Sequence, residues 1–302
     1  MGRYFDRYRQ GECTAVWDEL LAQGEAIRRD PLFTDALAVA HETMRRVRQN
    51  IEILVPRLRT LGYQFGAFWG QDPLPLWRQH ASSSEESDTF LPFVPPHPEA
   101  PQYLEQLEHV VGPLPLSLRA FYLEVGGVNL LGTHPLWDPL IELERLDPLY
   151  VGPLTAEELD YFLEDYADYQ RRPEDRGVKP FTFHLAPDSY HKYNISGGSP
   201  YDMAVPDARI DGLFLNEWHH TTFVDYLRIC FLAGGLPIRE WVVSDFSLLP
   251  LGDWAEKYHS ILLRHGWKER DLPLAEYARE WGQKSKELTE AVTYLRQGLL
   301  PI

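Results

Sequence analysis

Apolar positions between residues 34 and 62 recur at intervals that alternate between three and four. This spacing predicts a helix that packs lengthwise against a second helix. Thr34 is a candidate cap for its start and Gly62 for its end. Pro56 is expected to kink or break the helix, because proline removes an amide donor. The apolar seam consists of Leu37, Ala40, Met44, Val47, Ile51, Leu54, Leu58 and Leu61.

The partner of this helix is expected just upstream. Between Thr14 and Arg28 the residues Trp17, Leu20, Leu21 and Ile27 form an apolar stripe. Residues 12–62 are therefore predicted to form an antiparallel helical hairpin within an N-terminal unit, 1–69. Five arginines of the long helix are predicted to form a solvated basic face that pairs with acidic surface, since the aromatic residues typical of single-strand binders are missing. They are Arg45, Arg46, Arg48, Arg57 and Arg59.

The rest of the chain predicts an α+β fold, with a mostly antiparallel sheet flanked by helices. Prolines and a Ser/Glu run make residues 70–101 an irregular connection, followed by an α+β core at 102–240 and a C-terminal helical extension at 241–302. Helices are predicted at 103–111, 117–125, 155–169, 222–231, 253–265 and 273–297. Strands are predicted in VNLLG and LIELERL and at 181–186, 201–206 and 211–216.

The formal charge of −16 disfavours binding to nucleic acid and to anionic membranes, and it favours basic partners. The first residues have no apolar leader, and no later run is long enough to span a membrane. Cys13 and Cys230 are far apart in sequence, which favours reduced thiols in a cytoplasmic protein.

The predicted helix that begins at Thr155 has one strongly acidic face. A Thr-x-x-Glu capping box marks its start, and no basic residue interrupts its carboxylates. These side chains are the candidates for binding a protein partner: Glu157, Glu158, Asp160, Glu164, Asp165 and Asp168.

The stretch LAPDSYHKYNISGGSPYD (185–202) has either the polar groups of an active site or those of a demanding turn. A metal-dependent hydrolase would use His184, Asp188, His191 and His219, but the adjacent pair His219-His220 points to opposite faces of an extended segment. Common nucleotide, zinc-protease and esterase motifs are absent from the sequence, and no cofactor or metal is expected. We favour the turn, in which an Asx side chain and glycines shape the backbone. Its predicted structural residues are Asp188, His191, Asn194, Gly197, Gly198 and Tyr201.

Several segments together resemble the SUKH superfamily, which includes fungal cell-wall regulators and bacterial immunity proteins. They are LPLSLRAFYLEVGGVNLLG (114–132), LAPDSYHKYNISGGSPYDMAVPD (185–207), DGLFLNE (211–217), FVDYLR (223–228) and GGLP (234–237). The resemblance covers about residues 102–240. It implies an α+β core with no enzymatic activity, which in bacteria often neutralises nuclease or deaminase toxins by direct contact.

Three hypotheses follow. The first is a non-catalytic immunity-type protein that binds a basic nuclease-type toxin through its acidic surface. The second is a regulatory adaptor or scaffold that uses the seam at 34–61 to pair with itself or with another helix. The third is the metal-dependent hydrolase described above.

Overall fold

The structure, a computed structural model, describes residues 2–66, 91–137, 146–172, 180–193, 198–237 and 286–302. Within these ranges the chain combines helices with three small antiparallel sheets, so the predicted α+β class is confirmed. None of the helices in the described ranges has the length and apolar character needed to cross a membrane.

The N-terminal part is helical, as predicted. Helices α1 (Arg3–Arg9) and α2 (Cys13–Ala22), with a 3-10 turn (Gly24–Arg28), precede the long helix α3 (Leu32–Leu61). Trp17 Nε1 of α2 donates to Thr43 Oγ1 of α3 at 3.1 Å.

The ends of α3 agree only in part with the prediction. Gly62 ends it with a φ of 91°, the left-handed conformation that glycine adopts easily. The N-cap lies three residues earlier than expected: Pro31 occupies that position, while Thr34 donates to the Asp30 side chain at 3.1 Å.

Pro56 does not end the helix, which continues to Leu61. Proline at this position frees the carbonyl of Glu52 from its helical bond. Both residues are exposed, so water can take the place of the missing amide. Leu54 and Leu58, on either side of Pro56, are fully buried and hold the helix against the core.

The seam of α3 is used inside the chain. Leu37 and Leu61 are partly buried and the other six seam residues are fully buried, because α3 packs against α1 and against a later helix, α5 (Leu116–Glu124). Self-association through this seam would therefore have to displace the chain's own core.

The other α-helices in the described ranges are α4 (Ala100–Val111), α5 (Leu116–Glu124), α6 (Ala156–Arg171), α7 (Phe223–Leu232) and α8 (286–296). Thr155 accepts the amide of Glu158 at 3.2 Å, which confirms the predicted cap of α6. Thr222 is the N-cap residue of α7 but makes no side-chain bond to an amide of that helix. Instead, Asp211 accepts the amide of Val224 at 3.0 Å.

The strands are short and all pair antiparallel. The predicted strand at 181–186 is observed over its full length. Of the predicted strand at 211–216, only two residues form a strand. The sheets are β1 (Gln64–Phe65) with β4 (Gly132–Thr133); β2 (Phe93–Val94), β3 (Gly127–Asn129) and β5 (Tyr150–Val151); and β6 (Phe181–Ala186), β7 (Tyr201–Val205) and β8 (Phe214–Leu215).

One hydrophobic core connects these elements, from Phe5 in α1 through α3 and α5 to the sheets and α7. Several predicted segments lie wholly or mostly outside the described residues, among them the LIELERL strand, the 70–101 connection and the helix at 253–265.

Candidate protein-binding face and the buried network behind it

Helix α6 has one buried and one acidic side. Leu159 and Phe162 are buried, and the Phe162 ring stacks on Phe183 of β6 with centroids 3.6 Å apart. This packing turns the acidic side outward. Four of its carboxylates are exposed and two, those of Glu158 and Asp165, are half-buried; the exposed ones are Glu157, Asp160, Glu164 and Asp168.

Among the residues that the structure describes, few positive charges pair with this face. Asp168 pairs with Arg171 at 2.9 Å, and both side chains are largely exposed, so the pair is weak. Within the described ranges, Glu157, Asp160, Glu164 and Asp165 have no ion-pair partner. The six carboxylates therefore create a strongly negative local potential.

An aromatic side chain stands in the middle of this negative field. Tyr161 is 51% exposed and lies beside the His184 ring, with centroids 6.4 Å apart. Burial, followed by the charges of Asp165 and Glu158, raises the pKa of Tyr161, so the phenol stays neutral. An exposed tyrosine surrounded by carboxylates suits contact with cationic and aliphatic side chains.

His184 connects α6 to the sheet. Its Nδ1 lies 2.6 Å from Oδ1 of Asp202, which is its cross-strand neighbour. The hydrogen bond that His184 makes to the Asp202 carboxylate raises the pKa of His184. The charges of Asp202, Asp165 and Glu158 add to this effect, while burial opposes it. The environment therefore favours the protonated ring.

The connection after β6 is organised by Asp188. Its Oδ1 accepts the amides of Tyr190 at 2.7 Å and His191 at 3.2 Å, and its Oδ2 pairs with the His191 ring. A Cβ on Gly198 would lie 2.1 Å from Oδ1 of Asp188, so any larger residue there would displace the carboxylate that organises the connection. Asn194 and Gly197 lie outside the described residues.

Behind this connection lies a buried ion pair that the sequence analysis missed. Lys192 Nζ donates to Asp147 Oδ1 at 2.5 Å and to the Pro148 carbonyl at 2.9 Å, and both charged side chains are fully buried. The Tyr201 hydroxyl donates to Asp147 Oδ2 at 3.0 Å, and Lys192 Nζ lies 4.9 Å from the Tyr201 ring centroid. The two residues are 45 positions apart in the sequence, so no local sequence pattern identifies the pair.

Burial raises the pKa of Asp147, although the charge of Lys192 opposes this shift. Burial together with Asp147 also raises the pKa of Tyr201. The Lys192 ammonium, both carboxylate oxygens of Asp147 and the Tyr201 hydroxyl all have hydrogen-bond partners inside the protein. We therefore interpret the network as structural: it connects residues 188–193 to the segment before β5.

The four residues of the hydrolase hypothesis do not converge. His184 pairs with Asp202, His191 with Asp188, and His219 with Glu217. In the described part of the chain, no three His, Cys, Asp or Glu side chains come together in a way that could hold a metal ion.

Comparisons with protein-family models, with curated proteins and with solved structures found no match to this chain.

Proposed function

We propose that the chain is a non-catalytic protein-binding module that takes a basic protein partner on the outward face of α6. The observation that carries the proposal is the row of six carboxylates around the exposed Tyr161. We call these seven residues the acidic face.

The geometry of α6 supports a preformed surface. The stacking of Phe162 on Phe183 and the cap from Thr155 fix the helix on the sheet, so the acidic face needs no rearrangement to meet a partner. Charges of one sign on a fixed surface accelerate encounter with a partner of opposite charge, and Tyr161 can provide a central contact.

The resemblance to the SUKH superfamily supports the more specific form of the proposal. It implies a binding role without catalysis, and for a bacterial member it implies neutralisation of a toxin. A toxin that handles nucleic acid needs a positive surface for phosphate. The acidic face would cover that surface and block access to the nucleic acid.

Affinity capture from a lysate of the native host tests the proposal. The wild-type chain is compared with a variant in which all six carboxylates of the acidic face become amides. The control variant removes the same amount of charge elsewhere, by amide substitution of Asp6, Asp18, Glu25, Glu52, Glu287 and Glu290.

We expect one stoichiometric basic protein with the wild type and with the control variant at low salt, and its loss with the acidic-face variant or at high salt. Equal capture by all three proteins would contradict the proposal, as would the absence of any partner.

A further inference from the structure

Residues 299–302, the sequence Leu-Leu-Pro-Ile, lie in a groove between α3 and α7, where polar side chains bind their backbone. Asn50 of α3 is fully buried; its Nδ2 donates to the Leu300 carbonyl at 2.9 Å, and its Oδ1 accepts the Leu300 amide at 2.7 Å. Both hydrogen-bonding groups of the Leu300 backbone are therefore satisfied by one side chain.

Two arginines bind the next two carbonyls. Arg46 Nη1 donates to Pro301 at 3.0 Å, and Arg228 Nε donates to Ile302 at 2.7 Å. The Arg46 guanidinium also lies 4.6 Å from the Tyr8 ring centroid, which fixes its position. Arg46 was predicted to lie on a solvated face, but its side chain is only 13% exposed and binds the chain's own backbone.

The pattern of contacts defines what the groove can accept. Leu300 and Pro301 are exposed, so their side chains are not selected by burial, whereas Ile302 is only 6% exposed and acts as the anchor. Proline has no amide to satisfy at the middle position, and it holds itself and the preceding residue in extended conformations. An extended segment with proline before an aliphatic residue fits these requirements at low entropic cost.

We propose that Arg46, Asn50 and Arg228 form a recognition groove for an extended peptide segment with proline before an aliphatic residue, and that residues 299–302 are its intramolecular occupant. An occupied groove satisfies the buried amide of Asn50, and release of the segment would expose that amide to a competing ligand.

Binding of a fluorescent peptide to the full chain tests this site. The probe is Gly-Leu-Leu-Pro-Ile, the sequence of residues 298–302, and the control probe ends in aspartate instead of isoleucine. In the variant Ile302→Asp the chain's own anchor carries a charge that is unfavourable to bury, so the groove is vacated. We expect this variant to bind the probe at least about tenfold more tightly than the wild type does, because competition is removed.

Adding Asn50→Leu to Ile302→Asp should abolish probe binding, and the control probe should bind neither protein. A folded Ile302→Asp variant that does not bind the probe would overturn the proposal.

Hydrogen exchange of the wild type gives an answer even if that variant does not fold. The amide of Leu300 should exchange at least about tenfold faster than the amide of Ile51 in the buried seam, because the segment opens locally. Equal protection of the two amides would show that the segment opens only with the whole fold, and would overturn the proposal.

Discussion

Replacing Lys192 by methionine tests the buried ion pair. Methionine keeps most of the apolar stem but leaves the Asp147 carboxylate, which is fully buried, without its counter-charge. Removing one partner of a buried pair typically costs about 3–5 kcal/mol, a large part of a total stability of about 5–15 kcal/mol. We expect Lys192→Met to lower the free energy of unfolding by about that amount.

The loss should depend on pH. The pKa of Asp147 is already raised by burial in the wild type, and removal of the lysine charge raises it further. A carboxyl group whose folded-state pKa is raised is tolerated best when protonated, at low pH, and destabilises the fold as pH rises through that pKa. Lys192→Met should therefore be least unstable in acid and most unstable at alkaline pH.

Urea unfolding followed by tryptophan fluorescence measures these values. The matched variant is Lys192→Met with Asp147→Asn, which removes the charge and keeps an acceptor for the Tyr201 hydroxyl. We expect the double variant to be more stable than Lys192→Met alone by about 1–3 kcal/mol. The single variant Asp147→Asn is measured as well. If the double variant loses as much stability as the two single variants together, and the loss in Lys192→Met does not change with pH, the reasoning about the ion pair is wrong.

Two further predictions concern the titratable groups His184 and Asp211. The hydrogen bond to Asp202 raises the pKa of His184 in the folded state. The pair therefore stabilises the fold fully at pH values below about 6.5, the pKa of histidine in the unfolded chain, and this stabilisation is lost as pH rises through the folded-state pKa. Urea unfolding should therefore show His184→Gln to be destabilising at about pH 6 and much less so at about pH 9, whereas an equal cost at both would contradict this. Asp211 is buried and accepts from Ser117 Oγ at 2.6 Å and from the Val224 amide at 3.0 Å, so Asp211→Ala should cost about 2–4 kcal/mol in unfolding experiments. A loss below about 0.5 kcal/mol would show that Asp211 does not cap α7.

Local signals in the sequence predicted much of the helical structure. The seam of α3, its end at Gly62 and the cap of α6 at Thr155 each depend on residues within a few positions of one another. The acidic side of α6 follows from the same helical periodicity.

Contacts between distant segments were not predictable in this way. Asp147 and Lys192 are 45 positions apart, and the bonds from Asn50 to Leu300 connect residues 250 positions apart. The start of α7 shows the same limit, because Thr222 has the residue type of a cap while Asp211, eleven residues earlier, supplies the bond to the helix amide. A single sequence shows which residues can cap or pair, but the fold decides which of them come within reach.

The most direct test of the central claim is the dissociation constant of the captured basic partner, measured at several salt concentrations for the wild type, the acidic-face variant and the control variant. We expect the wild type and the control variant to bind with the same affinity and to weaken as salt increases. The acidic-face variant should bind at least about tenfold more weakly, with little dependence on salt. If it binds as tightly as the wild type with the same salt dependence, the acidic face of α6 is not the binding surface.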